Sequence, residues 1–224
     1  PARLRRTLSG LTEVDPFQLF AALAVLLFSL TVHEAAHAWS ACRLGDDTAQ
    51  RLGRISLNPL VHIDPIGTVL LPLVATLTGA PLIGWAKPVP VDTRRLGRPR
   101  RDFMLVAAAG PASNLVLAVA SAVALRLLIG AGSAGERLDV SGPLLGLAAV
   151  GLQVNLLLAL FNMIPVPPLD GGNVLGGLLS GAWRQRYEAL RPYGVFILYG
   201  LMFTGALGAI IGPPFVFLAR LLTL

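Results

Sequence analysis

Apolar residues run almost unbroken from Phe17 to Val32, and again over 103–129, 143–164 and 195–211, with polar, glycine- or proline-rich stretches between. Runs of this length predict membrane-spanning helices at 16–43, 103–129, 143–164 and 195–211. Pro16 suits the first turn of a helix. A helix from there to Arg43 would be ~42 Å long, more than the ~30 Å of hydrocarbon requires. Residues 1–15 are polar and read as a surface lead-in. The apolar piece at about 66–78 is short and contains Pro72. Residues 65–92 are therefore expected to form a re-entrant helix with an extended return. The alternative, a full crossing over 66–84, would put the next helix start on the wrong side. Residues 44–64 and 130–142 read as loops, GAWRQRYEALRPYG as a basic amphipathic surface segment, and Pro213-Pro214 as the start of a short terminal helix. The expected fold is an all-α membrane protein. It is a polytopic transmembrane helix bundle with a re-entrant helix and extended segment, one domain over 1–224.

Composition narrows the class. With 54% hydrophobic and 13% charged residues and a mean hydropathy of +0.70, the chain is too apolar for an ordinary soluble domain. The formal charge of +6 is almost wholly arginine, Lys87 being the only lysine. These arginines cluster at the ends of apolar runs, which fits positive-inside topology and anionic lipid head groups and not nucleic acid. Arg51, Arg54, Arg94, Arg95, Arg98, Arg100 and Arg101 outweigh Arg3, Arg5 and Arg6, so the Arg43 side is expected to be cytoplasmic. The chain is thus expected in the cell membrane as a multi-pass protein. A single cysteine, Cys42, excludes an internal disulfide. No cleavable signal peptide is expected, because the first apolar run carries the polar motif described next.

That motif is HEAAH, residues 33–37. His33 and His37 fall on one helix face, one turn apart, where both imidazoles can reach one metal ion. Glu34 projects beside that face, where it can take a proton from water held next to the metal. Ionisable groups at membrane depth are expensive and mark a functional site by default. His33 lies ten residues before Arg43, which puts the site ~15 Å from the cytoplasmic end of the helix. A third ligand is available in FNMIPVPPLDGG, residues 161–172, where Pro165, Pro167 and Pro168 stop the helix just before Asp170. Irregular backbone at this depth must line a cavity or pack on protein. The plainer alternative for Asp170 is a cap on a helix starting near Asn173.

HEAAH on a membrane helix, AGPASN at 109–114 and FNMIPVPPLDGG at 161–172, in this order, resemble the site-2 proteases, the intramembrane zinc metalloproteases. LNPLVHIDPIGTVLLPL and GWAKPVPVD look like a compact bacterial branch of that family. The similarity covers about 16–200. It implies one zinc ion held by His33, His37 and Asp170, Glu34 as catalytic base, and a transmembrane protein substrate cut within or beside its membrane segment. Many relatives carry PDZ or CBS domains; neither is expected within these 224 residues, so substrate choice is expected to need another explanation.

The chemistry agrees independently. Two neutral imidazoles and one carboxylate leave zinc an open fourth position, as in a catalytic site. Asn162 is a candidate donor to the oxyanion or the substrate backbone, with an inter-helix hydrogen bond as the alternative. Asn114 reads as structural or substrate-positioning. His62 lies in a loop, as a surface histidine or a group approaching the metal. In GWAKPVPVD, Pro88 and Pro90 remove backbone donors from one edge of a strand, while Lys87, Val89 and Val91 keep theirs on the other. That edge is expected to pair with an unwound substrate, a structural hairpin being the alternative. A transporter or metal permease also uses buried His, Glu and Asp. Such proteins usually show paired halves, and no internal symmetry appears here.

Overall fold

A computed structural model describes residues 16–71, 74, 77, 86–133 and 141–224. The expected lead-in at 1–15, most of the re-entrant piece and the centre of the 130–142 loop lie outside the described residues. The protein is all-α, and no strand occurs among the described residues.

The first helix, α1, spans Pro16–Arg43. After a turn comes the short α2, Thr48–Arg51. A tight turn at Pro59–Val61 and one wide helical turn at Pro65–Leu70 follow. Asp64 starts the wide turn by accepting from Ile66 N at 3.0 Å and Gly67 N at 2.7 Å. When the described chain resumes, 86–92 is extended.

Helix α3, Pro99–Ser133, begins earlier than the apolar pattern implies, inside the arginine cluster. Pro99 sits in its first turn, and Asp102 reaches back to accept Arg98 N at 2.6 Å. Helix α4, Ser141–Asn162, stops because Pro165 bars helical geometry from the residue before it. The short α5, Asp170–Leu178, then starts at Asp170 itself. Helix α6, Gly181–Glu188, is the exposed surface segment.

The run at 195–211 is not one helix. It divides into α7, Gly194–Phe203, and α8, Ala206–Thr223, at Gly205, whose φ of 75° only glycine adopts without strain. Pro213 and Pro214 therefore lie inside α8 and do not begin it. An apolar pattern alone does not reveal such a break, because the sequence stays apolar on both sides of it.

Helices α1, α3 and α4 pack on one another, α5 packs on α3, and α8 lies against α4 and α3. Small side chains bring the first three close: Ala38, Ala41, Ala107, Ala118 and Ala122 are all buried. Leu152 and Leu156 join Ala118 and Ala122 in a core that Phe215, Leu218 and Leu222 cover. The outer faces expose Phe20, Phe28, Val116, Leu127 and Phe217, an apolar surface that suits lipid and not water. Among the described residues, four helices are long and apolar enough to cross a membrane, within α1, α3, α4 and α8. The chain is a membrane protein.

Candidate active site and metal centre

One helical turn on α1 sets His33 and His37 side by side, with ring centroids 4.6 Å apart and planes at 82°. Both are buried, at 4% and 8% exposure. The proline-interrupted turn after α4 brings in Asp170 from the opposite side. Its Oδ2 stands 3.1 Å from His33 Nε2 and 3.3 Å from His37 Nε2, while the two Nε2 atoms are 3.0 Å apart. Ligands on a tetrahedral zinc ion are separated by about 3.3 Å, so this triangle has the size of one tetrahedral face.

Hydrogen bonding decides where the imidazole protons sit. His37 Nδ1 donates to the Val106 carbonyl at 2.7 Å. For His33 the direction follows from a chain that ends on a backbone carbonyl. Asn155 Nδ2 donates to Gly151 O at 2.9 Å, which leaves Asn155 Oδ1 to accept Asn114 Nδ2 at 2.9 Å. Asn114 Oδ1 therefore accepts from His33 Nδ1, at 2.6 Å. With both Nδ1 atoms protonated, two neutral imidazoles turn bare Nε2 lone pairs toward each other and toward a carboxylate. Three electron-rich atoms converging in a buried space repel unless a cation lies among them. The donor set fits zinc, with nitrogen and oxygen ligands and a position left open.

Gly110 supplies the room. A Cβ added there would stand 2.5 Å from His33 Nε2, so any side chain would occupy space that the ligand atoms face. The next residue, Pro111, has no N–H for the Ala107 carbonyl. In that same turn of α3, the Val106 carbonyl orients His37.

The three candidate ligands line a cleft of 440 Å³ with Glu34, Asn162, Asn173, Val89 and Val91. Glu34 is half-buried, and among the described residues no hydrogen bond or ion pair engages its carboxylate. Asn162 also faces the cleft, with one amide hydrogen on Leu158 O at 2.9 Å. Its second hydrogen and its oxygen remain for a ligand.

Asn114 is not where substrate binding would need it. It is fully buried, with 0% exposure, its oxygen on His33 and its nitrogen on Asn155. It bonds the candidate ligand His33 and does not line the cleft described above. Lys87 is corrected as well. Its backbone N–H is already bonded to His62 O at 2.8 Å, and its residue does not line the cleft. Val89 and Val91 have no backbone partner among the described residues. His62 is buried at 3% exposure, away from the cleft, and donates from Nε2 to Ser56 O at 2.9 Å.

Three residues that the motifs did not single out support this arrangement. Asp46 accepts Asp92 N at 2.7 Å, and Arg54 donates to Pro88 O at 3.4 Å and to Val61 O. Together they fasten one edge of the extended segment to the loop after α1 and leave Val89 and Val91 on the other edge. Asn155 is the third. An asparagine in the middle of the apolar run of α4 is a visible signal, since a polar group at that depth requires a partner.

Comparison with known proteins agrees with this geometry. The family description "Peptidase family M50" matches residues 130–204. YwhC of Bacillus subtilis, named "Putative zinc metalloprotease", is 40% identical over 201 residues, which cover 89% of this chain and 87% of that protein. Rip2 of Mycolicibacterium smegmatis, described by the same words, is 34% identical over 203 residues, covering 90% of this chain and 73% of its own. Rip2 of Mycobacterium tuberculosis is 34% identical over 182 residues, covering 80% and 64% respectively. No solved structure matches the chain significantly. With a relative this similar over nearly its whole length and a zinc-sized ligand set inside an apolar helix bundle, the chain belongs to peptidase family M50, the site-2 type of intramembrane zinc metalloprotease.

Proposed function

We propose that this zinc metalloprotease hydrolyses a peptide bond within or next to a transmembrane segment of a membrane protein, as in regulated intramembrane proteolysis. The observation that carries the reading is Glu34. It is an unengaged carboxylate lining the same cleft as the His33, His37 and Asp170 ligand atoms. When bound, zinc supplies a Lewis acid that polarises the scissile carbonyl and acidifies an attacking water. Glu34 takes the proton from that water and passes it to the leaving amine. Asn162 offers its free amide hydrogen to the oxyanion or to the substrate backbone. Val89 and Val91 offer backbone groups to an unwound substrate strand.

The chain acts as one membrane-embedded domain in the cell membrane, crossing it several times. Its arginine-rich connections support a site near the cytoplasmic face. Transport is the weaker reading, because the three ligating atoms converge on one point and do not trace a path. The test is incubation of purified, zinc-loaded protein with single-pass membrane proteins, comparing wild type with Glu34→Gln. Removal of a general base costs roughly 10²–10⁴-fold in rate. The variant should keep its zinc and lose cleavage by that factor; equal cleavage by both proteins would overturn the mechanism.

A further inference from the structure

Asp170 opens α5 directly after a proline-rich turn that has few backbone bonds of its own, Val166 N to Ile164 O at 2.8 Å and Leu169 N to Val166 O at 3.0 Å. Pro165, Pro167 and Pro168 donate no backbone hydrogen bonds. Among the described residues, the Asp170 carboxylate meets only the two histidines. Its aim therefore depends on the backbone around it. One side chain from outside reaches that backbone on both flanks of Asp170: the Tyr187 hydroxyl lies 3.1 Å from Pro165 O and 3.1 Å from Gly172 O, and its single hydrogen is shared between these two carbonyls. Tyr187 belongs to α6, which is otherwise exposed except at Glu188. Arg191, just beyond α6, is anchored to Glu188 at 2.9 Å and to Asn173 Oδ1 at 3.2 Å. The helix is thus docked where its phenol can bridge the turn.

We propose that Tyr187 is a positioning residue for the metal, closing the proline turn so that the Asp170 carboxylate is held ready beside the histidines. Without the hydroxyl the turn opens in the zinc-free protein and must be ordered again when zinc binds. The inference rests on Asp170 being a zinc ligand. It is tested by metal affinity, so its failure is separable from failure of the protease reading.

Zinc dissociation constants are measured by competition with a chromophoric chelator for wild type, Tyr187→Phe, Asp170→Ala and Trp183→Ala. Trp183 lies on the same helix and is 70% exposed. Groups that orient a ligand typically contribute 10–100-fold in affinity. Tyr187→Phe should weaken zinc by about that factor, with Trp183→Ala unchanged and the zinc-free unfolding temperature near wild type. Unchanged affinity in Tyr187→Phe, while Asp170→Ala loses zinc, overturns the proposal. An equal loss in Trp183→Ala, or a Tyr187→Phe protein that unfolds without zinc, overturns it too, because the hydroxyl would then hold the fold and not the ligand. Full affinity in Asp170→Ala would instead refute the ligand assignment beneath it.

Discussion

His33 donates from Nδ1 to Oδ1 of Asn114, with 2.6 Å between the two atoms and both side chains buried. Because Asn114 is itself oriented by Asn155, and Asn155 by the Gly151 carbonyl, a backbone group on α4 decides which nitrogen of a histidine on α1 faces the metal. Three helices thereby determine one tautomer.

Asn114→Leu should therefore keep the fold and the peptide-cleaving groups while weakening zinc by about 10–100-fold. Chelator competition measures this directly. Wild-type affinity in the variant would show that His33 keeps its tautomer without Asn114.

Gly110→Ala is the sharpest steric test. Alanine is the better helix former by about 1 kcal/mol, which offsets part of the roughly 1–3 kcal/mol cost of moving an imidazole aside, so the zinc-free protein should fold with at most a small fall in unfolding temperature. The new methyl group would stand 2.5 Å from His33 Nε2, so elemental analysis should find no stoichiometric zinc. A fully loaded Gly110→Ala protein would mean that the metal lies elsewhere.

Val89→Pro removes one of the two backbone donors left facing the cleft. If substrate pairs with this edge, cleavage should fall at least tenfold while zinc content and unfolding temperature stay unchanged, a lost hydrogen bond with its misfit being worth about 1–3 kcal/mol. Full cleavage by the folded variant would leave 86–92 as a structural segment only.

Topology is checked in a Cys42→Ser background. Single cysteines at 97 and 188 should react with an impermeant thiol reagent from the cytoplasmic side, and one at 135 only from outside. Labelling of 97 and 135 from the same side would contradict a crossing by α3.

The chemistry was legible because it is local. HEAAH shares a helix face by spacing alone, and the prolines before Asp170 announce broken backbone wherever the chain is placed. The small residues of AGPASN signalled close packing. That Gly110 is the residue against the ligand atoms could not be read, since it depends on how α3 crosses α1. Helix ends were less legible. Asp102 extends α3 into an arginine cluster that hydropathy assigns to a loop, and Gly205 cuts an unbroken apolar run.

By itself, the sequence determined the class, a helical bundle in a membrane, and singled out the candidate side chains for binding and activation: His33, Glu34, His37 and Asp170. Periodicity and residue chemistry are properties of a single segment, so no partner is needed to recognise them. Only the tertiary structure decided which partners Asn114, Asn155, Asp46, Arg54 and Tyr187 bond. Of the two readings of Asn114, structural or substrate-positioning, it favours the structural one by setting the side chain against His33, and it engages the Lys87 donor on His62. A hydrogen bond has direction and a range of about 3 Å, and its partner is set by how segments far apart in the chain are packed.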